Sequence, residues 1–325
     1  MHISILDQSP VISGLGARRA IEETIALARR ADELGYHRYW LAEHHAIAAL
    51  ADPCPEVLLA RLGAETRHMR IGTGGVLLPY YSAFRTAETF RMLEALYPGR
   101  IDLGIGRAPG GDQGTALAVG GGRFPDAGQF PQQVWELTAL LQGALAEKTP
   151  RLQPEVDTVP EVWLLGSSDY SGALAAELGL PFAFAHFINP RGGDAVSRAY
   201  RETFRATEKR PRPQVIVCTF AILADTDDEA ERLAASIDLR RLHMALNIDS
   251  PVPTAAEAAQ HRYSDEERRY VLGQRARAVI GGPRKARDEL KDLVDRYAAD
   301  ELMVLTITGD YASRRRSYEL LIEAF

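Results

Sequence analysis

Short apolar runs alternate along this chain with longer stretches whose apolar residues recur every three or four positions. Residues 2–7 read as a strand, and 17–34 as an amphipathic helix with Ile21, Ile25 and Ala28 along one face. Gly35 supplies the left-handed position that ends such a helix. Further strands are predicted at 38–42, 70–78, 101–106, 162–166, 182–187, 215–224 and 301–308. Helices are predicted at 56–66, 83–97, 131–145, 170–178, 192–208, 227–246, 284–298 and 312–324. Strands such as 182–187 lack polar–apolar alternation, as expected where a parallel sheet is buried on both faces.

Eight strands, each followed by helical sequence and with no internal repeat, predict an α/β fold. It is a single (β/α)8 barrel of the TIM type over residues 1–325. Counting alone also allows an open doubly wound sheet. Two stretches break the rhythm: 109–128 after the fourth strand, and 249–282 before the last βα unit. Loops that follow strands build the active-site face of a barrel, so long insertions there are lid candidates, and 249–282 is taken as one.

Composition narrows the function class. A net charge of −6 with scattered Lys and Arg leaves no concentrated basic face, so no nucleic-acid partner is expected. The one basic run, Arg314-Arg315-Arg316, reads as a solvated helix face. No apolar run has the length of a membrane span, and residues 1–10 lack the pattern of a signal peptide. Cys54 and Cys218 stand far apart, in neither metal-ligand nor redox spacing. A cytoplasmic protein without a membrane partner is the expectation.

Candidate chemistry gathers at the predicted strand ends. Glu43-His44-His45 closes the second strand, where one histidine would face the barrel mouth and its neighbour away. Histidine titrates near neutrality and suits acid–base work, although both rings would also serve as strand caps. Gly72-Thr73-Gly74-Gly75 interrupts a Val/Leu-rich strand; either close packing or the approach of something flat accounts for it. Arg107 places a forked cation at the end of the fourth strand, suited to phosphate or to a neighbouring carboxylate. Ser167, Ser168 and Ser171 surround the start of a helix, a position that favours an anion and is also an ordinary cap. His186 reads equally as a pocket residue or a hydrogen-bonded core residue, and His243 as structural.

Five separated segments resemble, in order, the bacterial-luciferase-like flavin monooxygenases. They are the run from Ala31 to His45 (ADELGYHRYWLAEHH), that from Arg70 to Pro79 (RIGTGGVLLP), that from Pro98 to Arg107 (PGRIDLGIGR), residues 165–181, and Asp300-Glu301-Leu302-Met303-Val304. The resemblance implies a barrel that holds FMN at the carboxyl ends of its strands, with His44 catalytic. Gly74 and Gly75 would lie beneath the ring, at a non-proline cis peptide, and Arg107, Ser168 and Ser171 would hold the phosphate. Residues 4–10 would border the ring. It further implies a homodimer through helices 56–66 and 83–97, where Ala60, Ala64, Ala83 and Ala87 permit close packing. No metal ligand is implied.

Where luciferase carries a reactive cysteine before the arginine, this chain has Gly106, and 249–282 also departs from the luciferase loop. The resemblance is therefore to the non-luminescent branch. The reaction it implies starts from reduced FMN, supplied by a separate flavin reductase. Oxygen then gives a peroxyflavin, which oxygenates a small organic substrate while His44 assists proton transfer. Three alternatives stay open: a deazaflavin-dependent dehydrogenase of the same fold, a metal-dependent hydrolase using His44, His45 and His186, and a flavin-binding protein without catalysis.

Overall fold

The computed structural model describes residues 1–107, 112–145 and 150–325. In chain order the elements are β1 His2–Asp7, α1 Gly16–Leu34, β2 Arg38–Leu41, α2 Pro55–Glu65, β3 Arg70–Leu77, α3 Ala83–Leu96 and β4 Ile101–Gly106. Then come α4 Gln113–Val119, α5 Phe130–Leu141, β5 Glu161–Gly166, α6 Asp169–Leu178, β6 Phe182–Ala185, α7 Gly193–Thr203, β7 Val215–Leu223 and α8 Asp227–Ala245. The chain ends with α9 Ala255–Gln260, α10 Asp265–Gln274, β8 Ala278–Gly281, α11 Pro283–Tyr297, β9 Glu301–Leu305 and α12 Tyr311–Glu323.

Strands β1 to β7 pair in parallel, each with the next; β7 then pairs with β9 and β9 with β1. This closes an eight-stranded parallel barrel, as the strand count predicts. The ninth strand, β8, is an addition: its four residues pair with Phe220–Leu223 at the far end of β7. It hides in the sequence because Gly281-Gly282 read as loop punctuation and four residues carry too little pattern. The insertions also hold helices α4, α9 and α10. Residues 109–111 of the first insertion lie outside the described residues.

Side chains alternate across each strand, and both sides are buried. Tyr39, Ile71 and Leu103 face outward onto Leu59, Leu62 and Phe90 of the flanking helices. Trp40, Trp163, Ile216 and Met303 fill the interior.

Charged groups plug the amino-terminal end of the barrel. Arg38 is buried and pairs with Asp102 and Glu301, each at 2.8 Å, with its guanidinium 4.7 Å from the Trp163 ring centre. Trp40 Nε1 donates to Asp102 at 2.9 Å. Burying these charges is tolerated because each has a partner.

The three-arginine run is not a solvated face throughout. Arg314 lies on the inward side of α12 with Ser317, Tyr318 and Leu321; it pairs with buried Asp7 at 2.5 Å and donates to the Thr306 carbonyl. Only Arg315 and Arg316 point outward, to Glu23 and Asp225. Tyr39 also donates to Asp7, so the end of β1 is anchored from two sides.

Candidate active site

A cavity of about 320 Å³ lies at the carboxyl ends of the strands, a size at the lower end for small-molecule sites. Its wall includes His44, Gly74, Gly75, Arg107, Ser168 and Ser171, from the ends of β2, β3 and β4 and the start of α6. The six residues that the resemblance assigns to catalysis and cofactor binding thus meet in one place.

Glu43 decides which histidine faces the cavity. Its buried carboxylate accepts from His45 Nε2 at 2.7 Å, from the Leu77 amide at 2.8 Å and from the Tyr81 hydroxyl at 2.5 Å. His45 is therefore held by its neighbour, and His44 lines the cavity. The Nδ1 atom of His44 is buried with no hydrogen-bond partner among the described residues. Burial pushes its pKa down to about 4, against a smaller upward pull from a backbone hydrogen bond to Ala42, so the ring is neutral near pH 7.

The glycines serve two purposes. A Cβ on Gly104 would lie 2.1 Å from the Thr73 carbonyl oxygen, and one on Gly75 would lie 2.6 Å from the Gly104 carbonyl oxygen. Close approach of β3 and β4 thus accounts for part of the pattern. The Gly74–Gly75 peptide is cis, and both residues border the cavity. Gly106 differs: its Cβ would meet nothing within 4 Å, and the residue lines the cavity.

On the same cavity wall, the Arg107 guanidinium stacks 4.3 Å from the Tyr170 ring centre. It makes no ion pair with the described residues, so the carboxylate alternative finds no partner among them. Ser171 Oγ donates to the Ser168 carbonyl at 2.8 Å and accepts the Ser168 amide at 3.4 Å, which shapes the first turn of α6. A cation thus sits beside a helix amino terminus, a donor set that fits a phosphate.

Leu6, Trp40, Cys218 and Met303 make the apolar wall, with Phe187 and Ile188 farther along and Gln8 at the end of β1. Leu6 and Gln8 fall within residues 4–10, which the resemblance sets beside the ring; the others do not stand out in the sequence, because an inward position on a barrel strand looks like core until the mouth is located. His186 lies elsewhere. It lines a separate cavity of about 580 Å³ with Thr219 and residues of α11, and its Nδ1 is 2.9 Å from the Tyr297 hydroxyl. The three histidines of the metal-hydrolase alternative therefore do not converge. His243 bonds Ser250 at 2.9 Å, away from the cavity.

No described residue of 249–282 lines the cavity. This segment instead braces the loops after β1 and β2. Val252 exchanges backbone hydrogen bonds with Val11 and Ser13 at 2.8 and 2.9 Å, and Asp249 accepts the Ala48 amide at 2.9 Å. Helices α9 and α10 pack on α8 through Ala258, Val271, Leu239 and Leu242.

Comparison with known proteins agrees with this architecture. The family described as luciferase-like monooxygenase matches residues 1–300. The luciferase-like monooxygenase of Escherichia coli (strain K12) is 37% identical over 320 residues, covering 98% of this chain and 96% of that protein. An N-acetyl-S-alkylcysteine monooxygenase of Bacillus subtilis (strain 168) is 33% identical over 329 residues, covering 100% and 98%. The solved structure of apo-MsnO8 superposes with a TM-score of 0.94 at 38% identity, covering 100% of this chain and 98% of that one. The chain belongs to the luciferase-like monooxygenase family. More distant structures share the fold. The oxygenating constituent of 3,6-diketocamphane monooxygenase of Pseudomonas putida, solved with FMN, gives a TM-score of 0.71 at 18% identity and covers 100% and 97%. An F420-dependent secondary alcohol dehydrogenase gives 0.65 at 13%, covering 99% and 98%. Among the described residues no helix is long and apolar enough to cross a membrane.

Proposed function

We propose that the protein is a monooxygenase that uses reduced FMN and dioxygen to oxygenate a small organic substrate. The observation that carries this reading is a single cavity whose wall brings together Arg107, without an ion-pair partner among the described residues, a helix amino terminus and a buried neutral histidine. Arg107, Ser168, Ser171 and the first turn of α6 hold the phosphate. Gly106 leaves room for the ring because a Cβ there would meet nothing within 4 Å, and Gly74 and Gly75 border the cavity beneath it. When bound, reduced FMN supplies the electrons that activate dioxygen. His44 accepts a proton at Nδ1, the ring nitrogen without a hydrogen-bond partner among the described residues. Leu6, Trp40 and Met303 keep bulk water from the reacting region.

Two relatives suggest where to look for substrates, since one is named for an S-alkylcysteine and the other for a diketone. The test is a panel of small thioethers and ketones offered with reduced FMN, a flavin reductase and isotopically labelled dioxygen. One labelled oxygen atom in a product supports the reading; FMN bound without labelled product from any of them counts against oxygenation. The second reading, deazaflavin-dependent hydride transfer, draws on the F420-dependent fold neighbour. It predicts tight deazaflavin binding and substrate oxidation without oxygen.

The reading includes a cytoplasmic homodimer and a separate reductase. The dimer face would be α2 and α3, where Val57, Met92 and Leu96 are exposed around a groove of about 890 Å³. Ala83 and Ala87 face the protein's own core, so only Ala60 and Ala64 are left to ease packing there.

A further inference from the structure

Arg107 reaches the cavity on a flexible stem, and nothing in the phosphate reading explains what holds it in place. No described carboxylate pairs with it, and it is solvent-exposed. An unrestrained arginine loses rotamer freedom on binding a ligand, which weakens the contact. Tyr170 stacks on it. Its ring lies 4.3 Å from the guanidinium carbon, and both residues line the cavity.

We propose that Tyr170 is a positioning residue for the cofactor phosphate, acting through Arg107. Stacking engages the flat face of a guanidinium and leaves its N–H edges free, so the ring fixes the cation without using the donors a phosphate needs. The placement follows from local structure. Tyr170 is the second residue of α6, next to Ser168 and Ser171, and its amide donates to Asp169 at 2.8 Å. The same first turn therefore offers both the helix terminus and the platform that holds the cation beside it. This inference rests on the FMN reading and adds to it a source of discrimination between phosphorylated and unphosphorylated flavin.

The test measures dissociation constants for FMN and riboflavin in the wild type, Tyr170→Ala, Tyr170→Phe, Arg107→Ala and the double variant Tyr170→Ala/Arg107→Ala. The wild type binds FMN more tightly than riboflavin. Tyr170→Ala lowers that preference about two- to fivefold, the range of an exposed cation–π contact, and Tyr170→Phe restores it. In the Arg107→Ala background, adding Tyr170→Ala changes the preference no further. Riboflavin affinity reports whether the cavity itself is still formed, and a merely structural Tyr170 would weaken both flavins alike. An unchanged FMN preference in Tyr170→Ala, or the same loss with and without Arg107, overturns the inference and leaves the FMN reading standing. A wild type that binds FMN no better than riboflavin overturns both.

Discussion

Two glycines on one strand, two positions apart, carry opposite expectations. On β4, a Cβ at Gly104 would lie 2.1 Å from the Thr73 carbonyl oxygen and 2.9 Å from Leu165 Cδ1. The first of these is backbone and cannot move aside, so Gly104→Ala must separate β3 from β4. Overpacking of this kind costs about 1–3 kcal/mol. With a urea slope near 3 kcal/mol per molar, the midpoint falls by about 0.3–1 M. At Gly106 the Cβ meets nothing within 4 Å, so Gly106→Ala leaves the midpoint where it was. Gly106→Phe is expected to fold as well, but its ring enters the cavity of about 320 Å³. FMN affinity then drops at least about tenfold, or ~1.4 kcal/mol. Urea denaturation followed by circular dichroism, together with flavin titration, reads both effects. Unchanged FMN affinity in a folded Gly106→Phe protein would refute the placement of the ring.

Other expectations follow from charge. Arg38→Met removes the ion-pair partner of buried Glu301, which among the described residues keeps the Ser4 hydroxyl, and should cost about 3–5 kcal/mol in urea denaturation. Asp102 suffers less, since Arg70 and Trp40 still donate to it. Burial holds His44 and His186 at about 4, below the ordinary histidine value of 6.5, so between these values the unfolded chain binds more protons than the folded one. These two rings therefore contribute stability that rises with pH across that window, opposed by buried Asp52, whose carboxyl is raised to about 7; a pH slope of the thermal midpoint left unchanged by combining His44→Asn with His186→Asn would contradict the assignment. His44→Ala should slow oxygenation by about 10²–10⁴ with FMN affinity little changed, as single-turnover kinetics would show.

Periodicity made the barrel legible, because eight βα units leave few ways to bury every strand on both sides. It missed β8, whose four residues lie between an arginine-rich turn and paired glycines. It also misread Arg314: charge pattern alone does not show which member of a basic run meets a buried carboxylate such as Asp7. At the site, polar residues at strand ends stood out because they break an apolar pattern. Met303, Cys218 and Trp40 did not, since inward apolar positions look alike whether they fill the barrel or line its mouth. The lid expectation for 249–282 came from length and punctuation; the hydrogen bonds to Val11, Ser13 and Ala48 give the segment a bracing role instead.

The most direct test of the account is anaerobic titration of the purified protein with reduced FMN, in parallel with Arg107→Ala. Saturable binding that weakens about tenfold or more without the arginine is the predicted result, since a charge-assisted hydrogen bond contributes ~1.5–3 kcal/mol. Absence of FMN binding in either redox state, with a deazaflavin bound instead, would contradict it.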